Sequence, residues 1–182
     1  AMKLGLRDFT ELGYLRMHRV DYGRSDVEAL RKQIVEEVVP LCAELVAQQA
    51  RDLGVEKIMA WDEGVHDAKG SPRPHGDHDW MVARAQEMFD EIGHGLGDFF
   101  KLMRDKGLLD LKTRDGKAGG GFCTSFPVWG VPFVFANFNG TDGDVKVFTH
   151  EMGHAFQNYS ARTQKLVDYT WPTYESAEIH SM

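Results

Sequence analysis

The stretch HEMGH, residues 150–154, places two imidazoles four positions apart, with a carboxylate directly after the first. On a helix His150 and His154 stand one turn apart on the same face. From there both rings reach a single ion at about 2.0–2.1 Å, the bond length zinc takes with histidine nitrogen. Glu151 falls about 100° round the helix, aside from the coordination but able to hold a water and take its proton. That division of labour is what the His-Glu-x-x-His pattern means chemically.

A chain with eight histidines can also spell the pattern by composition, so two further conditions bear on it. The helix must otherwise belong to a core, and Phe148, Met152, Ala155, Phe156 and Tyr159 supply that, with Gly153 letting another element come close. A third ligand must follow. The metzincin continuation is excluded, because Gln157 and Ser160 stand where it needs glycine and histidine. The other route takes a glutamate from a later helix, and PTYESAEIHSM offers both Glu175 and Glu178.

HEMGHAFQNY, followed by a Glu-x-x-Ser run as EIHS, resembles the thimet oligopeptidase and oligoendopeptidase F family of zinc metallopeptidases. KAGGGFCTSF and PFVFANFNGTDGDVKVFTHEMGH are similar to that family's Gly-rich turn, edge strand and metal-helix start, and YGRSDVEALRKQIVEEVVPLCAEL to a helix upstream of its site. The resemblance implies a zincin-like fold with a gluzincin-type catalytic helix. It also implies one zinc ion per chain on His150, His154 and Glu178, and hydrolysis of short peptides by a zinc-bound water that Glu151 activates. It places Gly120, Gly121, Phe135, Ala136 and Asn137 on the substrate side. Members of the family run to several hundred residues and use a later histidine and tyrosine to stabilise the oxyanion. The expectation is therefore a partial catalytic domain, associating with itself or with a missing catalytic part. A catalytically inactive remnant that keeps zinc to hold a peptide-binding module is the alternative.

The elements that must carry this site read as mainly α with a small β-sheet, an α+β domain over residues 1–182: a helical part at 1–112, a small sheet at 117–140 and metal-site helices at 142–182. Residues 3–18 carry Leu4, Leu6, Phe9, Leu12, Leu15 and Met17 at roughly helical spacing. A long helix follows from Ser25, with Glu28 in capping-box spacing. Its Val27, Leu30, Ile34, Val38, Leu41 and Leu45 mark one buried face, Pro40 a kink and Gly54 the end. Beyond a Gly- and Pro-rich loop at 62–78, Trp80, Met88, Phe89, Ile92, Phe99, Phe100 and Met103 predict another helix over 79–106. Strands are expected near 120–126 and 132–138, a helix over 143–161, and a last helix from Pro172 and Thr173.

Other candidates read more plainly. The resemblance implies that Phe133–Asn139 is an edge that pairs with an extended substrate; Val and Phe content suits that or a covered core strand, and leaves both open. Gly119–Gly121 lacks the Gly-Lys-Ser/Thr ending of a phosphate loop, so a substrate-side turn is the better reading. His75, Asp77, His78 and Asp79 read as a solvated helix start rather than a second metal cluster. His180 falls on the side of its helix opposite Glu178, so no ligand role is expected for it. Cys42 and Cys123 are expected to be packed; two cysteines make no disulfide framework and suit a reducing, cytoplasmic setting. A formal net charge of -7 speaks against a nucleic-acid partner. No apolar run is long enough for a membrane span, and the amino terminus shows no secretory signal.

Overall fold

The computed structural model describes residues 1–19 and 21–182. Where the sequence reads as one domain, the backbone contacts divide into two compact units, Ala1–Ser71 and Pro72–Met182.

The first unit is helical: α1 (Phe9–Arg16), α2 (Arg24–Gln33) and α3 (Val39–Leu53). Asp8 caps α1 by accepting from the Glu11 N–H at 3.1 Å. The start of α2 differs from the expected Ser25–Glu28 box. Gly23 is the N-cap, and Asp26 reaches back to its N–H at 2.8 Å, while Glu28 instead takes Arg24 Nε at 2.8 Å. The long helix continues through Pro40: the backbone stays helical from Gln33 to Val39, and a wide π turn, Ile34–Val38, joins α2 to α3 just before the proline. A local widening of this kind is one way a helix accommodates a residue that supplies no N–H.

The apolar face expected to be buried is not. Leu30, Ile34, Val38, Leu41 and Leu45 are all exposed, at 41–61%, and Cys42 beside them is exposed rather than packed. Ala50 is the buried hydrophobic of this unit among the described residues. An amphipathic helix hides its stripe only where a second layer meets it, and these helices lie along their stripe without one.

The second unit carries α4 (His78–Ile92), α5 (Leu96–Asp105), β1 (Leu109–Lys112), β2 (Phe122–Phe126), β3 (Val131–Phe138), α6 (Asp142–Ala161) and the one-turn α7 (Tyr174–Ala177). The single helix expected over 79–106 is broken by Gly93-His94-Gly95, all three at positive φ. Two glycines make that left-handed excursion cheap, and it turns α5 back onto α4. Asp77 caps α4, accepting from the Trp80 N–H at 3.0 Å. The strand β1 was not expected. Its four residues are too short to show a period, and it is stabilised by pairing parallel to β3. In the sheet order β1-β3-β2, β2 is antiparallel to β3, with Phe122 opposite Phe135 and Phe126 opposite Val131.

α6 lies on this sheet and against α4 and α5. Phe148 is the pivot: its ring meets Phe89, Phe100 and Phe138 at centroid distances of 6.4, 5.8 and 5.9 Å. Met152 and Ala155 continue that buried stripe against a core that also includes Phe99, Met103, Leu111, Val134 and Ala136. Successive turns of the opposite face of α6 are thereby fixed in space. At its start, Asp144 is buried and accepts from the Asn139 and Gly140 N–H groups at 2.9 and 2.7 Å, which ties the strand β3 to the helix it feeds.

Candidate metal centre

His150 and His154 project from one face of α6, with their Nε2 atoms 3.2 Å apart. Glu178, just past α7, brings its Oε2 to 3.4 Å from His150 Nε2 and 3.6 Å from His154 Nε2. A tetrahedral ion with ligands at about 2.0–2.1 Å separates any two of them by roughly 3.3–3.4 Å. The three measured separations bracket that value. Two imidazoles and one carboxylate are also the donor set of the His₂Glu zinc sites, so these residues fit a zinc ion in both spacing and chemistry. Among the described residues they are the one group of three or more His, Cys, Asp or Glu side chains converging in this way. Of the two glutamates that the residues alone leave open, the structure brings Glu178 to the histidines.

His154 is buried and its ring lies 6.2 Å from that of Trp171, whereas His150 and Glu178 open to solvent. The triad therefore sits at a surface, with one anchored member and two accessible ones. Thr173 starts α7 by accepting from the Ser176 N–H at 3.4 Å. The turn continues through Ile179 and His180, whose N–H groups reach the Ser176 and Ala177 carbonyls at 3.3 and 3.2 Å. His180 itself is exposed and stands outside the triad.

Glu151 points from the next position on α6 and is only 8% exposed. Burial raises its pKa above the ordinary carboxyl value, and Glu178 adds to that; the two histidines and the Cys123 backbone N–H oppose it. The same burial, helped by the Glu151 charge, pushes the Cys123 thiol up to about 12, so at neutral pH it is a packed thiol rather than a thiolate.

The family model for peptidase family M3 matches residues 77–182, more than half of the chain. The chain belongs to peptidase family M3. Among solved structures, it is 46% identical to a Bacillus anthracis str. Ames protein assigned as an oligoendopeptidase F, with a TM-score of 0.96 over 100% of this chain and 33% of that one. It is 43% identical to PZ peptidase A, solved with an inhibitor, at the same TM-score of 0.96, over 100% of this chain and 32% of that one. A Chlamydophila abortus protein assigned as a peptidase, 19% identical, has a TM-score of 0.61 over 87% of this chain and 27% of that one, a likeness of fold. This M3 chain thus spans about a third of the length of the structures it matches. No curated protein matches it.

Around the centre of this M3 chain, the residues read as substrate-side hold one another. Asn137 Nδ2 donates to the carbonyls of Ala118 and Gly120 at 2.9 and 2.8 Å, so its amide fixes the Gly-rich turn. Ala136 is buried, and Phe135 stacks on Phe122 at 4.9 Å. Gly121 passes so near α6 that a Cβ there would lie 2.8 Å from Val147 Cγ1 and 3.8 Å from Glu151 Oε1. The edge reading of Phe133–Asn139 is corrected: β3 is the central strand, paired to both neighbours at Val134 and Phe135, and β2 is the edge beside Glu151. The His75–Asp79 group forms no metal cluster among the described residues; Asp77 is a helix cap, and Asp79 pairs with His78 and Lys112.

Two residues were missed. Lys117 carries no signal in DGKAGGG that sets it apart, yet its side chain is 1% exposed. Ser181 marks the Glu-x-x-Ser run, yet nothing in the spelling says that its hydroxyl bonds Glu178.

Proposed function

We propose that this chain is the zinc-binding part of a metalloendopeptidase that cleaves short peptides, with one zinc ion held by His150, His154 and Glu178. The observation that supports it most is the match between the three ligand-atom separations of 3.2, 3.4 and 3.6 Å and a tetrahedral site. When bound, zinc supplies Lewis-acid polarisation of a peptide carbonyl and acidifies water.

The residues of the chain do the rest. Glu151 is the general base that takes the proton from the attacking water. It then delivers that proton to the leaving amine. The free edge of β2 at Phe122–Phe126 offers backbone groups to an extended peptide, the strand-addition mode of recognition. Gly121 keeps the approach from that edge to Glu151 free of side-chain bulk.

Metal analysis of the purified chain tests the assignment. One zinc per chain is expected, lost in Glu178→Ala and kept in Glu175→Ala. Zinc retained by Glu178→Ala and lost from Glu175→Ala would move the third ligand; a wild-type chain that takes up no zinc would end the proposal.

A further inference from the structure

The third ligand is the weakest-held of the three. His150 and His154 are fixed by a twenty-residue helix, but Glu178 is the C-cap of a four-residue one, and its side chain is 58% exposed. A glutamate in that setting has several free rotamers, and binding a metal would have to order them. Something must hold the carboxylate toward the histidines.

Two features do so. Ser181 is buried, and its Oγ donates to Glu178 Oε2 at 2.9 Å, with the Glu178 carbonyl at 3.2 Å. Oε2 is the same oxygen that faces both imidazoles. A hydroxyl has one hydrogen, and the charge-assisted bond to the carboxylate is the shorter. The second feature sets where Ser181 can be. Gly153 lies between the two histidines on α6, and the His180–Ser181 backbone rests directly on it. A Cβ at Gly153 would overlap the His180 carbonyl oxygen outright and stand 2.9 Å from Ser181 Cα. Absence of a side chain at Gly153 brings the segment down onto the helix between the histidines, and the Ser181 hydroxyl then turns the carboxylate inward.

We propose that Ser181 and Gly153 are positioning residues for the third metal ligand, Ser181 by orienting the Glu178 carboxylate and Gly153 by seating the segment that carries it. The inference rests on the zinc reading above. Hydrogen bonds from outside the coordination sphere to ligating groups typically carry 10–100-fold of metal affinity.

The test is zinc affinity of the full 182-residue chain, measured by competition with a chromophoric chelator, zinc alone being the probe. Ser181→Ala is expected to bind zinc about 10–100-fold more weakly, Ser181→Thr to stay close to wild type because it keeps the hydroxyl, and Gly153→Ala to lose at least as much as Ser181→Ala. In a Glu178→Ala background, which no longer retains zinc through purification, Ser181→Ala should leave the weak residual affinity of the two histidines unchanged, because the serine acts through that carboxylate. Thermal melts of the zinc-free proteins identify a variant that merely fails to fold, and the threonine variant then carries the comparison. A wild-type chain that binds zinc, with Ser181→Ala binding it equally tightly, overturns this inference and leaves the zinc site standing. An undiminished effect of Ser181→Ala without Glu178, or a loss that threonine does not restore, likewise reduces Ser181 to a structural residue. A wild-type chain that binds no zinc overturns the zinc reading itself, and this inference with it.

Discussion

Lys117 Nζ donates to the carbonyl oxygen of Ala136 at 2.5 Å, from a side chain that is 1% exposed. The same ammonium reaches Asp110 Oδ1 at 3.1 Å and the carbonyls of Asp110 and Lys112 at 3.0 and 2.9 Å, and it lies 4.4 Å from the centre of the Phe135 ring. One cation thus ties β1, β3 and the turn that leads to Gly119–Gly121. Lys117→Met should leave three carbonyls without their donor, while Asp110 keeps Arg114, and cost about 1–3 kcal/mol, the usual penalty for unsatisfied buried polar groups. Urea unfolding of the full chain measures it. A loss under about 1 kcal/mol would mean that water replaces the ammonium.

Asp110 gives the same clamp a pH signature. The bidentate Arg114 bond, and then Lys117, hold its carboxyl down to about 2 against an ordinary 3.8. A depressed folded-state value means that the group's contribution is fully present above its unfolded pKa and is lost as pH falls through about 2. Asp110→Asn is expected to lower stability at neutral pH by about 1–2 kcal/mol, allowing for partial solvent screening, and to flatten the stability curve between about pH 4 and 2. Parallel acid-unfolding curves for wild type and variant would remove Asp110 from the account.

Glu151→Gln separates chemistry from binding. The substitution keeps size and one acceptor oxygen but replaces the basic carboxylate with an amide, so zinc content should be unchanged while cleavage of a quenched peptide falls by at least about 10²-fold. Zinc lost from the variant would make Glu151 a coordinating or structural group. Undiminished turnover would take it out of the mechanism, and a wild-type chain that binds peptide without cleaving it would favour the inactive, zinc-stabilised module.

What the sequence made legible follows from where the signal is local. His150, Glu151 and His154 are three side chains on one helix, and the 3.6-residue period is enough to set their relation. The choice of Glu178 over Glu175 rested on resemblance, because it depends on how the 162–173 connection returns the chain to α6. Gly93-His94-Gly95 could have been read as a break, but the apolar spacing on both sides continued as if the helix did. β1 carries only four residues and forms because β3 is there to receive it, a long-range cause that no window shows. The burial of Lys117 is of the same kind: the carbonyls that surround it come from two strands, Asp110 and Lys112 on β1 and Ala136 on β3.

α2 and α3 carry their apolar residues in an amphipathic spacing, but the stripe is not buried. Leu30, Leu41 and Leu45 are 55%, 56% and 61% exposed, with Val35 and Val39 at 63% and 50%. Apolar surface in water is unfavourable by about 25 cal/mol per Å², and contiguous exposure of this kind marks an interaction face. The 182-residue chain is therefore expected to self-associate, two copies covering each other's helices in an isologous contact. Replacing Leu41 and Leu45 together with glutamate should return it to a monomer with the helical content intact, since both positions are already in water and neither is packed. Light scattering across a concentration series reads the outcome. A monodisperse wild-type monomer at every concentration would show that these side chains are tolerated in solvent, and the association would be wrong.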